Sequence, residues 1–153
     1  MEKQDFMQQA IVLANKAAKN GDIPVGALIV CDGKVVGKGY NKKEKNKNAL
    51  LHAEIVAINN ASKKLNDYRL ENCEMYVTFE PCLMCVGAIL SARIKKVYFG
   101  AYDKRFGASE LLINNNFNHT TPFEGGIMEE NCSALLTDFF KQLRKNKKKV
   151  DKN

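Results

Sequence analysis

His52-Ala53-Glu54 and Pro81-Cys82-Leu83-Met84-Cys85 are the two stretches from which the fold and the chemistry of this chain are inferred. Together they offer one imidazole, two thiols and one spare carboxylate. One histidine and two cysteines fill three positions of a tetrahedral zinc ion and leave the fourth for water, whereas structural zinc sites close all four. The pattern therefore predicts a catalytic zinc site, in a fold that brings two helix starts together.

The rest of the chain is predicted to alternate helices with strands. Apolar residues recur at helical spacing from Phe6 to Ala18, and Asn20-Gly21 is a typical helix end. Asp32-Gly33 is a hairpin turn signal. The further predicted elements are strands over residues 25–31, 35–40, 75–79, 97–101 and 122–128, helices over 52–65, 82–92 and 109–113, a loop over 114–119 and a last helix from Glu129.

This order of elements is typical of an α/β protein, and we expect a three-layer α/β/α sandwich around a five-stranded mixed sheet. The hairpin supplies one antiparallel pair, and crossovers through helices make the remainder of the sheet mostly parallel. Ligands of such sheets bind outside the carboxyl ends of strands, where helices begin. Pro81-Cys82 directly follows a predicted strand, so the sheet and the motif indicate the same edge.

The composition is that of an ordinary globular protein. A chain of 153 residues, 45% hydrophobic and 27% charged, forms about one domain. No apolar run approaches the ~20 residues needed to span a bilayer, and the first residues lack the apolar core of a signal peptide. We therefore expect a cytoplasmic protein that does not enter membranes. Cys31, Cys73 and Cys132 are expected to be buried, reduced thiols.

The net charge of +7 is concentrated near the C-terminus. Seven basic residues against one acid give residues 141–153 a charge of +6, and residues 42–47 hold four lysines against Glu44. We expect a catalytic domain over residues 1–145 and a basic tail over residues 146–153 that need not be ordered. Such patches attract phosphate backbones, although a charged terminus alone is more often simply solvated.

The spacing of the motif residues suits metal binding. Cys82 and Cys85 are three residues apart and share one face of a helix start. Unpaired backbone N–H groups and the positive end of the helix dipole stabilise the thiolate form that binds metal. His52 would be the third ligand, as a neutral imidazole. Because a helix start need not be regular, Glu54 can approach the metal-bound water without binding the metal, and we assign it proton transfer.

His-x-Glu followed by Pro-Cys-x-x-Cys is a known signature of zinc-dependent nucleobase deaminases. Further stretches resemble the bacterial tRNA-specific adenosine deaminase family, namely Pro24-Val25-Gly26-Ala27, Gly39-Tyr40-Asn41, Tyr68-Arg69-Leu70, Tyr76-Val77-Thr78, Phe99-Gly100-Ala101, Phe117-Asn118-His119 and Leu143-Arg144-Lys145. The resemblance implies hydrolysis of adenosine to inosine at the wobble position of a tRNA anticodon stem-loop. It also implies one Zn²⁺ per subunit, a homodimer, and the cytidine-deaminase-like fold, with residues 1–145 as the zinc-dependent deaminase domain.

Carried over position by position, the resemblance assigns site residues. Asn41 matches a position that contacts the flipped base, where an amide can donate and accept at once; a turn residue is the alternative. Asp103 matches an aspartate at the rim of the site; the alternative is a helix N-cap or a loop acid. Arg105 stands in place of a lysine, and Glu110 where a small residue is usual. The same transfer places zinc on His52, Cys82 and Cys85, with Glu54 as the proton carrier.

Predictions are also made for two aromatic residues and one histidine in the last third of the chain. Phe139 and Phe140 are adjacent, so on a helix they point about 100° apart and one can face outward. We expect an exposed Phe140 to stack on a splayed anticodon base; the alternative is that both rings pack in the core. His119 is expected to be a loop histidine with a structural hydrogen bond.

Other functions fit parts of the pattern. Guanine deaminases and other free-base or nucleoside deaminases share the metal step, but a free base needs no cationic tail. A non-catalytic, zinc-containing RNA-binding protein would lack Glu54 or have a fourth protein ligand. A scaffold subunit of a heteromeric deaminase would not need the catalytic glutamate.

Overall fold

The computed structural model describes residues 1–111 and 119–152. Its elements in chain order are α1 (Lys3–Lys19), β1 (Gly26–Cys31), β2 (Lys34–Tyr40), α2 (Ala53–Leu65), β3 (Cys73–Phe79), α3 (Leu83–Ser91), β4 (Lys96–Ala101), β5 (Phe123–Glu124) and α4 (Glu129–Lys152). The predicted five-stranded mixed sheet with helices on both faces is confirmed.

The strands lie in the order β2-β1-β3-β4-β5. β1 pairs antiparallel with both β2 and β3, and the remaining two pairings are parallel. The prediction of a single antiparallel pair is wrong, because the chain crosses over β1 through α2 and returns on its other side. β2, β3 and β4 consequently run in the same direction, and their carboxyl ends share one edge of the sheet.

Side chains of the central strands alternate between two cores. Ile29, Met75 and Val77 face α2 and α3, whereas Leu28 and Tyr76 face α1 and α4. Each face of the sheet is therefore covered by two helices, and the sheet edge where β2 to β4 end remains open for a site.

Small residues let α2 lie close to β2. A side chain on Gly39 would collide with the backbone of Ala53 and Ala57, and one on Gly37 would collide with Ala57 and Ala61. Glycines on the strand and alanines at every fourth position of the helix remove that obstacle. The close approach holds the start of α2 against the end of β2.

The fifth strand is shorter than predicted. The sequence indicated residues 122–128, but β5 comprises only Phe123–Glu124. Gly126 and Met128 have positive φ angles of 90° and 56°, which a continuing strand does not allow. The N–H groups of Gly126 and Ile127 still bond to the carboxyl-terminal part of β4.

The last helix continues through the basic residues to Lys152, so the tail predicted over residues 146–153 begins inside it. The predicted helix over residues 109–113 and loop over 114–119 extend into residues 112–118, which lie outside the described residues. Within the described part of the chain, no helix has both the length and the apolar character required to cross a membrane.

Candidate active site

Polar residues from several elements meet at the open edge of the sheet. β2, β3 and β4 lead into Asn41, Glu80 and Asp103, and the chain entering β1 adds Asp22. These residues line a cleft of about 1020 Å³ together with the motif residues His52, Glu54 and Cys82. The predicted location at the carboxyl ends of the strands is confirmed.

The three residues predicted to hold zinc are brought together by two helix starts. His52 is the N-cap of α2, Cys82 is the N-cap of α3, and Cys85 lies in the first turn of α3. The Nδ1 atom of His52 is 3.7 Å from Sγ of Cys82 and 3.6 Å from Sγ of Cys85. The three donor atoms all lie within 4.8 Å of one another.

This spacing fits a tetrahedral zinc ion. Bonds of about 2.1 Å to nitrogen and about 2.3 Å to sulfur place the two donor types about 3.6 Å apart. Among the described residues, no fourth His, Cys, Asp or Glu joins the group. The donor set therefore leaves one position open, as catalytic sites do.

Hydrogen bonds set the protonation of the three ligands before metal binds. The bond with Cys85, followed by that with His52, lowers the pKa of Cys82 to about 3. Hydrogen bonding with Cys82 raises the pKa of Cys85. A separate hydrogen bond with Cys82 raises the pKa of His52. These shifts favour the thiolate form of Cys82 and the thiol form of Cys85, whose proton a metal ion must displace.

Glu54 is buried beside the ligands, with 4% of its surface exposed. It is the second residue of α2, and it lines the cleft. Burial raises its pKa to about 7, against the opposing effect of a backbone hydrogen bond. A carboxyl group with this pKa can both take up and release a proton near neutral pH, as the predicted proton carrier must.

Asn41 lines the cleft and also holds two segments in place. Its Oδ1 accepts the N–H of Ala53 at 2.8 Å, and its Nδ2 donates to the carbonyl of Ile23 at 2.9 Å. Each side of the amide retains one free hydrogen-bonding position. The structural alternative is therefore present, and the predicted base contact stays a prediction that the remaining positions allow.

Asp103 and Arg105 lie in a loop that follows β4 and lines the same cleft. Oδ1 of Asp103 accepts the N–H groups of Arg105 and Phe106, at 3.0 and 3.1 Å. The Arg105 guanidinium lies 5.2 Å from the centre of the Phe106 ring. Asp103 thus shapes the loop, and Arg105 remains at the rim; their predicted RNA contacts remain predictions.

Glu80 ties this loop to the metal-binding helix. Its buried carboxylate accepts the N–H of Asp103 at 3.1 Å, the N–H of Ser109 at 3.3 Å and the Ser109 hydroxyl at 2.7 Å. The N–H of Ala108 bonds to the carbonyl of Pro81 at 2.9 Å. The sequence alone assigned Glu80 no role. Its position between an apolar strand and Pro81-Cys82 could have indicated a buried structural carboxylate.

α4 forms one wall of the cleft. Leu136, Phe139, Phe140 and Leu143 face it at helical spacing. Phe140 is 39% exposed and Phe139 is half-buried, with the two rings 5.5 Å apart. The alternative in which both rings pack in the core is wrong.

His119, predicted to be a loop histidine with a structural hydrogen bond, is not among the residues that line this cleft. Its Nε2 is 3.3 Å from the carbonyl oxygen of Ile94, to which it donates. The three cysteines outside the motif are free, and Cys73 and Cys132 are buried while Cys31 is half-buried. The structural hydrogen bond of His119 and the burial of Cys73 and Cys132 are as predicted, whereas the prediction that Cys31 is buried is wrong, because Cys31 is the last residue of β1 and lies half-buried at its end.

Three donors with an open fourth position, beside a buried glutamate at the edge of a mixed sheet, define the class of zinc-dependent nucleobase deaminases. A model of the family described as the cytidine and deoxycytidylate deaminase zinc-binding region matches residues 1–101. The tRNA-specific adenosine deaminase of Bacillus subtilis is 41% identical over 152 residues, covering 97% of this chain and 94% of that protein. The chain belongs to the tRNA-specific adenosine deaminase family.

Solved structures agree with this assignment. A structure from work on A-to-I editing by tRNA:A34 deaminases at the wobble position superposes with a TM-score of 0.83, at 34% identity, covering 86% of this chain and 99% of that chain. The guanine deaminase of Bacillus subtilis superposes with a TM-score of 0.67, at 35% identity, covering 80% of this chain and 84% of that one. The fold is therefore shared with enzymes that act on RNA and on a free base.

Proposed function

We propose that this protein is a zinc-dependent hydrolase that converts adenosine to inosine at the wobble position, 34, of a tRNA anticodon stem-loop. The observation that carries the proposal is the group His52, Cys82 and Cys85 beside buried Glu54, opening into a cleft whose wall continues as a basic helix. The names of the relatives supply the substrate class.

The reaction consumes one water and releases one ammonia. A bound zinc ion supplies Lewis-acid activation of water near neutral pH. Glu54 takes the proton from the attacking water and passes it to the ring nitrogen, then helps the amino group to leave as ammonia. Its burial and its pKa of about 7 suit both directions of transfer.

The target adenine must leave the base stack to reach these groups. Asn41 has one hydrogen and one lone pair available for the purine edge once its structural bonds are made. Phe140, exposed at the cleft wall, offers a flat surface on which a neighbouring base can stack, worth about 1–3 kcal/mol. Arg105 and Asp103 at the rim would contact nucleotides beside the target.

The charge distribution favours RNA over a free base. Beyond the cleft wall, α4 carries Arg144, Lys145, Lys147, Lys148 and Lys149, all exposed. A guanine or nucleoside deaminase encloses its small substrate and gains nothing from such a helix. The fold shared with guanine deaminase nevertheless keeps that activity as the alternative to be tested.

The direct test is a substrate panel. The purified protein is incubated with an anticodon stem-loop carrying adenosine 34, the same stem-loop with guanosine 34, and free adenosine, guanine and cytidine. Inosine is measured in the digested RNA, and ammonia in every reaction. Inosine formed only in the adenosine-34 stem-loop supports the proposal. Guanine turnover without RNA editing would replace it with the alternative.

We further propose a homodimer in the cytoplasm, where tRNA is used. Large apolar side chains stand exposed beside the metal ligands: Leu83, directly after Cys82, is 68% exposed, and Phe106 is 66% exposed. A second copy would cover such surface. Light scattering at micromolar concentration should give the mass of a dimer, twice the 17.2 kDa of one chain. The variant Leu83→Glu should give the mass of a monomer.

A further inference from the structure

A buried carboxylate at the cleft belongs to no part of the chemistry described above. Asp22 is 2% exposed and lines the same cleft as His52 and Glu54. It stands three residues after the end of α1, and its backbone N–H bonds to the carbonyl of Ala17 in that helix at 3.0 Å. A negative charge at the mouth of a site for a polyanion is unfavourable by itself, so its presence calls for a physical reason.

The partners of Asp22 lie in the loop between β2 and α2. Oδ1 accepts the N–H of Glu44 at 2.8 Å, and Oδ2 accepts the N–H of Lys45 at 3.3 Å. We call residues 42–48 the basic loop, since Lys42, Lys43, Lys45 and Lys47 outnumber its one acid, Glu44. Both carboxylate oxygens therefore hold successive backbone amides of a cationic segment.

Backbone hydrogen bonds within the basic loop and at its base give the loop its shape. The N–H of Lys42 bonds to Leu51, that of Asn46 to Lys42, and that of Asn48 to Lys43, at 2.9 to 3.0 Å. The bond to Leu51, and the bonds of Asn41 to Ile23 and Ala53, hold the base of the loop. Asp22 comes from a different segment and holds the middle of the loop at Glu44 and Lys45. Lys43 and Lys47, on either side of these two residues, line the cleft.

We propose that Asp22 is a positioning residue, which holds the basic loop so that Lys43 and Lys47 contact phosphates of the RNA strand entering the cleft. The inference rests on the proposed function for the identity of the polyanion. It adds a second phosphate-binding surface on the side of the cleft formed by the β2–α2 loop, in addition to the basic residues of α4.

The substitution Asp22→Asn distinguishes a role in charge from a role in positioning, because the two predict opposite changes in RNA affinity. If Asp22 acts only as a charge, Asp22→Asn removes repulsion and RNA binds more tightly. If Asp22 positions the loop, the asparagine can accept only one of the two amides, the lysines lose their place, and binding weakens. Glu44→Gln is the matched control, because it removes the same charge from the same cleft without removing a backbone anchor. It should bind RNA at least as tightly as the wild type.

The experiment uses the full-length, zinc-loaded protein and an adenosine-34 anticodon stem-loop. Dissociation constants are measured at several salt concentrations for the wild type, Asp22→Asn, Glu44→Gln and Lys43→Ala/Lys47→Ala, with zinc content measured for each. We expect Asp22→Asn to weaken binding about tenfold and to flatten the slope of log K against log salt by up to about 1.4, which is about 0.7 for each of two phosphate contacts on a single strand. Zinc content should stay at the wild-type value.

The double variant Lys43→Ala/Lys47→Ala, called the lysine pair, tests the inference even if Asp22→Asn misfolds. Both lysines are exposed, and their replacement should reproduce the loss of affinity and of salt slope. Adding Asp22→Asn to the lysine pair should then cost little more, since both changes remove the same contacts. Unchanged or tighter binding by Asp22→Asn, or an unchanged salt slope in the lysine pair, would overturn the inference. Inosine formation by the wild type on the same RNA separates that outcome from failure of the proposed function.

Discussion

The Oδ1 atom of Asn41 accepts the backbone N–H of Ala53 at 2.8 Å, which joins the end of β2 to the first turn of α2. Ala53 lies between the metal ligand His52 and the proton carrier Glu54. The helix has no side-chain cap of its own at His52, because the imidazole is turned toward the cysteines. Asn41, although it follows β2, therefore acts as a cap for α2: its side chain accepts a backbone N–H that would otherwise be unpaired at the start of the helix.

Replacing Asn41 by alanine should lower the affinity for zinc as well as the stability. The variant loses both structural bonds, which we expect to cost about 1–2 kcal/mol of unfolding free energy. A less firmly held His52 should weaken zinc binding roughly tenfold, measured by competition with a chelator. Asn60→Ala is the control, since Asn60 also bonds α2 to β2, through the Lys38 carbonyl at 2.8 Å, but stands away from the ligands. Equal zinc affinities in the two variants would contradict this account.

Glu54→Gln should separate metal binding from turnover. The amide keeps the size of the side chain but cannot carry the proton, so inosine formation should fall by about 10²–10⁴-fold. Zinc content should remain one per chain, since Glu54 lies outside the ligand group. Elemental analysis and single-turnover kinetics on the same sample measure the two quantities. Turnover within tenfold of the wild type would assign proton transfer elsewhere.

Zinc binding to the metal-free protein should release protons and tighten with rising pH. Cys85 keeps its proton because its pKa is raised by the bond with Cys82, and the pKa of His52 is also raised. Both groups must lose a proton to become ligands. The affinity should increase about tenfold per pH unit for each proton released, a sign set by the raised pKa values. A pH indicator in weakly buffered solution measures the release; a pH-independent affinity between 6 and 8 would contradict it.

Glu80→Gln should loosen the loop that carries Asp103 and Arg105. The amide group of glutamine would face N–H and O–H donors where the carboxylate now accepts them. We expect the amides of Asp103 and Ser109 to exchange with deuterium about tenfold faster or more. KM for the stem-loop should rise more than kcat falls. Exposed Glu110 provides the control variant, Glu110→Gln, in which exchange at Asp103 should not change.

Neutralising the end of α4 should weaken RNA binding without affecting the metal. Lys147, Lys148 and Lys149 changed to glutamine keep a good helix former at each position. The salt slope should fall by up to about 0.7 per lost phosphate contact, while zinc content stays constant. Lys63→Gln/Lys64→Gln at the far end of α2 removes two charges away from α4 and controls for net charge when the change in slope is compared per charge removed. An equal change per charge in both variants would indicate that only overall charge matters.

Local patterns were sufficient for most of the elements. Apolar spacing predicted α1, and Asp32-Gly33 predicted the hairpin, where both residues have the positive φ angles, 50° and 78°, that this turn requires. The second antiparallel pairing of β1 was missed because no residue in β1 or β3 specifies which neighbour it will meet. The length of β5 was missed because the backbone turn at Gly126 and Met128 ends the strand.

The sequence alone determined which donors are present and that they stand at helix starts, since His52, Glu54, Cys82 and Cys85 are recognisable from their types and their spacing. Only the tertiary structure decided what surrounds them. The direction of β2, β3 and β4 brings Asn41, Glu80 and Asp103 to one edge, and Asp22, from the segment after α1, holds the basic loop through two of its backbone amides. Spacing along the chain governs contacts within one helix or turn, whereas contacts between elements depend on the order of strands in the sheet, which long-range packing selects.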